Sequence, residues 1–134
     1  MNRISIPAVA LSSVIVLAMD IIGSTVLFAL NSPEISPNIT PAQIEAITLA
    51  MSQDLGFMFS ALLYGTATTI IGGYLAARFA KKYPYFNAAA FGLTSIVLGL
   101  LLSSETPFWF QALGLLSTIP AAVLGGHWYC TKNV

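Results

Sequence analysis

Charge is what this sequence has least of. Of its 134 residues five are Lys or Arg and five are Asp or Glu, 7% in all, where ordinary soluble domains carry roughly a quarter. So little charge cannot furnish a hydrated surface. A formal net charge of zero also leaves no basic face to neutralise a phosphate backbone, which excludes nucleic acid as a partner. Cysteine is nearly missing: Cys130 stands alone, so an internal disulfide is impossible. The single histidine, His127, has only Cys130 nearby in sequence, and two ligands do not define a zinc site. No histidine lies at the depth of the serines and threonines to act as a base, and no glycine-rich phosphate loop or pair of membrane carboxylates is present. No catalytic, cofactor-binding or metal-ligating residue is therefore assigned, and the chain is not expected to be an enzyme.

What is abundant is apolar. Hydrophobic residues make up 57% of the chain, gathered in uncharged or nearly uncharged stretches at about residues 5–30, 55–79, 86–103 and 107–129. Each is near or above the roughly 20 residues that cross a hydrocarbon core as a helix. These stretches predict an all-α, single-domain integral membrane bundle over residues 1–134, with four transmembrane helices and the lipid bilayer as its surroundings. The first apolar run is far longer than the ~7–15 residues of a signal peptide's core and lacks a small-x-small cleavage site, so it is read as a retained helix. Every basic residue falls on one side of a four-pass arrangement: Arg3, Arg78, Lys81, Lys82 and Lys132. The positive-inside rule makes that side, with both termini, cytoplasmic. Glu34, Glu45, Asp54 and Glu105 fall on the other. Phe108, Trp109 and Phe110 at the outer edge, and Tyr83, Tyr85, Trp128 and Tyr129 at the inner one, read as interfacial anchors.

Between the first two crossings, residues 31–54 form the one substantial extramembrane segment. Prolines at 33, 37 and 41 interrupt its beginning. Thr40, Pro41 and Gln43 then have the pattern of a helix start with a capping box. Ile44, Ile47, Met51, Leu55 and Met58 follow at three- and four-residue spacing, which predicts an amphipathic helix on the outer side that continues into the second crossing. Within that crossing Ala61, Gly65, Thr69, Gly73 and Ala77 fall four apart, a line of small residues that lets another helix approach closely. Gly92, Ser95 and Gly99 make a shorter line on the third crossing, and Ser117, Ala121 and Gly125 one on the fourth. Pro120 predicts a kink in the fourth. Gly72-Gly73-Tyr74 and Gly125-Gly126-His127-Trp128, each followed by basic residues, are a faint echo between two helices that run the same way.

Gly72-Gly73-Tyr74-Leu75-Ala76-Ala77-Arg78, with Pro84 and the small-residue run from Asn87 to Gly92, resembles a pattern in small uncharacterised bacterial four-helix inner-membrane proteins. The resemblance covers roughly residues 72–92. It implies a multi-pass protein of the bacterial inner membrane and no particular activity.

Asp20 is the one ionisable residue deep in an apolar stretch. An Asp at the bilayer centre costs about 2.5–3.5 kcal/mol on insertion scales, which surrounding residues at roughly −0.3 to −0.6 kcal/mol each offset. The helix inserts, but the carboxyl must face protein or water. Ser13 and Ser24 share its helix face, and Tyr64 with Thr68 or Thr69 of the second crossing lie at comparable depth as donors. Two functional readings follow. The first is a non-catalytic subunit or interaction partner, in a homo-oligomer or a larger membrane complex, held by its small-residue faces. The alternative is a small oligomeric transporter or channel that uses Asp20 as a proton or cation site. The topology is directly testable: in a Cys130-free background, cysteines placed at Ser36 and Thr106 are expected to react with an impermeant thiol reagent from outside, and one at Lys82 to be protected. The reverse pattern would sink the cytoplasmic-termini arrangement.

Overall fold

The computed structural model describes residues 3–32, 38–102 and 107–133. The negative side of the sequence's charge pattern at Glu34 and Glu105, and the labelling positions Ser36 and Thr106, lie outside the described residues. The elements run α1 (Ile6–Asn31), α2 (Pro41–Met51), α3 (Leu55–Ala80), α4 (Pro84–Leu102) and α5 (Phe108–Lys132). All but α2 are long and apolar enough to cross a membrane. Their outward surfaces fit that setting, since Ile6, Leu63, Leu101 and Leu116 are each more than 70% exposed with no charge beside them.

Local chemistry sets the boundaries. Thr40 and Gln43 form the reciprocal capping box that opens α2: the Thr40 N–H donates to Gln43 Oε1 over 2.9 Å, and the Gln43 N–H donates to Thr40 Oγ1. The amphipathic helix does not continue into the second crossing, as its apolar spacing predicts. It ends at Met51, and Asp54 opens a new helix by accepting the Phe57 N–H at 2.7 Å. An Asp in the N-cap position satisfies an orphan amide, worth about 1 kcal/mol, and apolar periodicity carries no trace of that break. Met51 and Met58 are buried on either side of the junction, whereas Ile44 and Leu55 stay exposed. α3 ends where Lys81 takes a left-handed conformation, φ 58°. Helix α5 runs unbroken through Pro120.

At the basic end of the bundle Asn87 is fully buried. Its Oδ1 accepts the Ser5 N–H at 2.7 Å, and its Nδ2 lies 3.0–3.2 Å from the carbonyls of Arg3, Lys82 and Tyr83. One amide thus ties the start of α1 to the α3–α4 turn. Around it, Arg3 stacks over Phe86 and Lys132 over Trp128, cations resting on aromatic faces at one end of the bundle.

Packing toward that end is made by glycine. α3 and α5 run in the same direction and form the most extensive helix contact. At their crossing, the carbonyl of Ala122 occupies the space a Cβ on Gly73 would need, and the carbonyl of Ile70 occupies that of Gly125. The arrangement is reciprocal: each glycine meets the residue three places before the other glycine. Backbones this close are within reach of Cα–H···O contacts worth about 0.5–1 kcal/mol each, and any side chain would separate them. The neighbouring glycines turn to α4, Gly72 beneath the Phe91 ring and Gly126 against Ala88. The echo of paired glycines between the two helices therefore corresponds to one shared contact geometry. It does not extend to the whole hairpins, because α3 packs on α4 while α1 and α5 scarcely touch.

The four-residue line on α3 divides at this crossing. Gly73 and Ala77 are buried in the packed half. Gly65, by contrast, has no atom within 4 Å of where its Cβ would stand, so it does not make the close helix approach its spacing suggests. Gly73→Leu and Gly125→Leu are expected to destabilise the bundle by more than the ~1–3 kcal/mol typical of overpacking, because rigid backbone must move. Gly65→Leu should leave thermal unfolding in detergent within about 1 kcal/mol of the parent. Equal losses at all three positions would contradict this division.

Candidate intramembrane site

Away from the basic end lies an open cavity of about 430 Å³, lined by all four long helices. Its floor is the packed layer just described, where Phe91, buried completely, and Val16 both press on Gly72. Toward the far end its walls include Leu27, Phe57, Leu100 and Phe110. Part of the space exists because three helices each place a glycine on it. Gly65 on α3, Gly99 on α4 and Gly114 on α5 all line it, and none has an atom within 4 Å of its missing Cβ. Ala61 and Thr69, the other outer members of the α3 line, also line this cavity.

Asp20 is set in the α1 wall, about 16 Å from the far end of that helix at 1.5 Å per residue. It is the one carboxylate on the cavity, and no Lys, Arg or His lines it among the described residues. Thr68 stands opposite, buried, with its Oγ1 2.8 Å from Asp20 Oδ1 and 3.0 Å from the Gly65 carbonyl. A hydroxyl carries one proton. It can therefore satisfy an ionised Asp20 by donating to it, or accept from a protonated Asp20 while donating to Gly65. The site is compatible with both states of the carboxyl, and the switch needs only rotation of the Thr68 hydroxyl.

The remaining candidate residues take other roles. Tyr64 does not donate to Asp20. Its hydroxyl donates to the Met19 carbonyl at 2.7 Å, and its ring covers Gly23, filling the space of an absent Cβ. Thr69 lines the cavity but donates to Gly65 at 2.7 Å, and Ser24 lines it while donating to Ile21 at 3.0 Å. Both are held in the helical back-bonding common for such side chains. Ser13 lies two turns toward the basic end, outside the cavity lining, and its hydroxyl is buried without a partner among the described residues. Thr68 alone of these side chains bonds the Asp20 carboxylate.

Three cavity residues escape sequence reading. Gly114 belongs to no small-residue line, and Gln111 and Thr118 sit in an apolar stretch with nothing to mark them as facing inward. Gly99 does stand in a line, but one that reads as packing. The signal that would have found them is joint: glycines at equal depth on three helices. A second space of about 360 Å³ lies under α2, lined by Ser32, Ile47, Met51 and Asp54, and it shares the Phe57 side chain with the first. At the opposite end Tyr85 and His127 share a 2.9 Å hydrogen bond on the exposed surface. No cluster of three or more metal-ligating side chains occurs among the described residues.

No known family, curated protein or solved structure matches this chain. Within the site, Tyr64→Phe removes one partly buried hydrogen bond but keeps the ring over Gly23, so it should cost about 1 kcal/mol of stability. Gly23→Leu displaces the ring itself and should cost about 1–3 kcal/mol. Thermal unfolding of the two variants in the same detergent checks the order, and a Tyr64→Phe loss equal to or larger than that of Gly23→Leu would contradict the packing described.

Proposed function

We propose that this chain is a small four-crossing membrane protein, with both termini cytoplasmic, that takes up a proton or a cation at Asp20 within its intramembrane cavity and moves it as a transporter or channel. The observation that carries this reading is the joint placement of one carboxylate, without a cationic partner among the described residues, on a cavity walled by four helices. An ionised group in so apolar a surrounding is costly unless compensated. Thr68 supplies one hydrogen bond, and a proton or a cation that enters the cavity would neutralise the charge itself. A purely structural Asp would be expected to have its carboxyl closed off between helices. The segregation of basic residues supports the orientation, and the resemblance through Gly72–Arg78 supports a bacterial inner membrane.

A second reading, a non-catalytic subunit of a homo-oligomer or larger membrane assembly, draws on α2. Apart from Met51 and the half-buried Ile47 this helix is exposed, and its apolar Ile44 and Leu49 have no cover from the bundle. A partner or the headgroup layer would supply that cover.

The two readings part on flux. Purified protein in liposomes is expected to pass protons or cations, and Asp20→Asn, which keeps the shape but cannot titrate, should reduce this to the protein-free rate while the protein still folds and purifies normally. Equal flux from the parent and Asp20→Asn would overturn the role of Asp20, and no flux from a folded parent that co-purifies with a fixed partner would favour the subunit reading.

A further inference from the structure

The cavity is the wrong container for a bare inorganic ion. Such an ion sheds its water only for a shell of several oxygens, six to eight in the case of calcium. Here one carboxylate is the lone anionic ligand among the described lining residues, and side chains such as Ser24 and Thr69, which donate their hydroxyl protons to their own helices, offer only neutral oxygen lone pairs. The walls are instead mostly apolar, with aromatic rings from Phe57, Tyr64 and Phe110. The volume, about 430 Å³, falls among cavities that hold small organic ligands. A ligand that fits these walls has an apolar body and one positive charge.

Resting on the reading of Asp20 as a proton or cation site, we propose that the cavity binds a lipophilic organic monocation, and that this cation and a proton displace one another at Asp20. Exclusivity follows from charge. With one carboxylate and no lining cation, the site is neutral with either a proton or the cation, and carries a net positive charge with both. On binding, the carboxylic O–H of Asp20 loses its proton to water and the carboxylate accepts the cation's charge. On release, water returns the proton. Thr68 lets both states stand without an unsatisfied group, donating to Asp20 in the first and to the Gly65 carbonyl in the second. Of the elements that wall the cavity, α3 brings one further titratable group, the Tyr64 phenol, whose hydroxyl is donated to Met19; α4 and α5 bring none among the described residues. The glycines at 65, 99 and 114 make room for the body of the ligand, which explains three helices that lack side chains at one depth.

The probe is benzyltrimethylammonium, with neopentylbenzene as its uncharged isostere and sodium as the inorganic control, each titrated calorimetrically into the full chain in nanodiscs. Buffers of differing ionisation enthalpy count the protons. The organic cation should bind with release of up to one proton, its affinity falling by about tenfold per pH unit on the acid side. The isostere should release none, and sodium should not bind. Asp20→Asn should abolish the proton release. Gly99→Leu and Gly114→Leu, which fill the cavity from α4 and α5, should weaken the organic cation by about tenfold or more. Thr68→Val should weaken cation binding, and Thr68→Ser, which keeps the hydroxyl, should restore it. Binding of sodium alone, dependent on Asp20, or binding of cation and isostere alike with no proton released, would overturn the substrate class and leave the Asp20 reading intact. Proton and cation behaviour unchanged in Asp20→Asn would overturn both.

Discussion

The close approach of α3 and α5 is the contact on which the rest of the bundle is arranged. Inside a membrane, lipid tails are as apolar as the helices, so association cannot be driven by escape from water and depends on how well the surfaces fit. Gly73 and Gly125 give the best fit available, backbone against backbone, each glycine seated on the other helix's carbonyl. Because the two helices run parallel, their dipoles do not help them. The contact must come from dispersion and weak Cα–H···O bonds, and dispersion loses roughly a quarter to a half of its strength over a gap of about 0.5–1 Å. The adjacent glycines then draw α4 to the same layer, and Phe91 fills the remaining space.

Helices that touch closely at one level and carry large outward side chains elsewhere cannot stay equally close along their length. At the far end of this bundle they diverge, and glycine has the opposite consequence there. With no neighbour within reach, Gly65, Gly99 and Gly114 define a void where Gly73 and Gly125 define a contact. The same residue type thus closes one half of the molecule and opens the other, and the distance between the helices decides which.

Asp20 belongs to this second half. Its cost of insertion is tolerable in so apolar a helix, but an apolar helix facing lipid would have no reason to keep it. It faces the void, across from a threonine whose one proton can serve either state of the carboxyl. A carboxylate at the edge of a space large enough for a ligand differs physically from one sealed between helices. Its charge can be neutralised by something that comes and goes.

The sequence by itself determined the elements: four apolar helices long enough to span a membrane, the capped start of the short helix at Thr40, the gathering of basic residues, and Asp20 as the one deep ionisable group with Thr68 among its neighbours. Those features are local, since length, apolar content and capping chemistry are properties of a few consecutive residues. Only the tertiary structure decided what each glycine does, that Tyr64 bonds Met19 rather than Asp20, that the short helix stops before α3, and that Gly114 and Gln111 face inward. A four-residue spacing states which side chains share a helix face. It is silent on how far away the facing helix lies, because that distance is set by every other contact in the bundle at once.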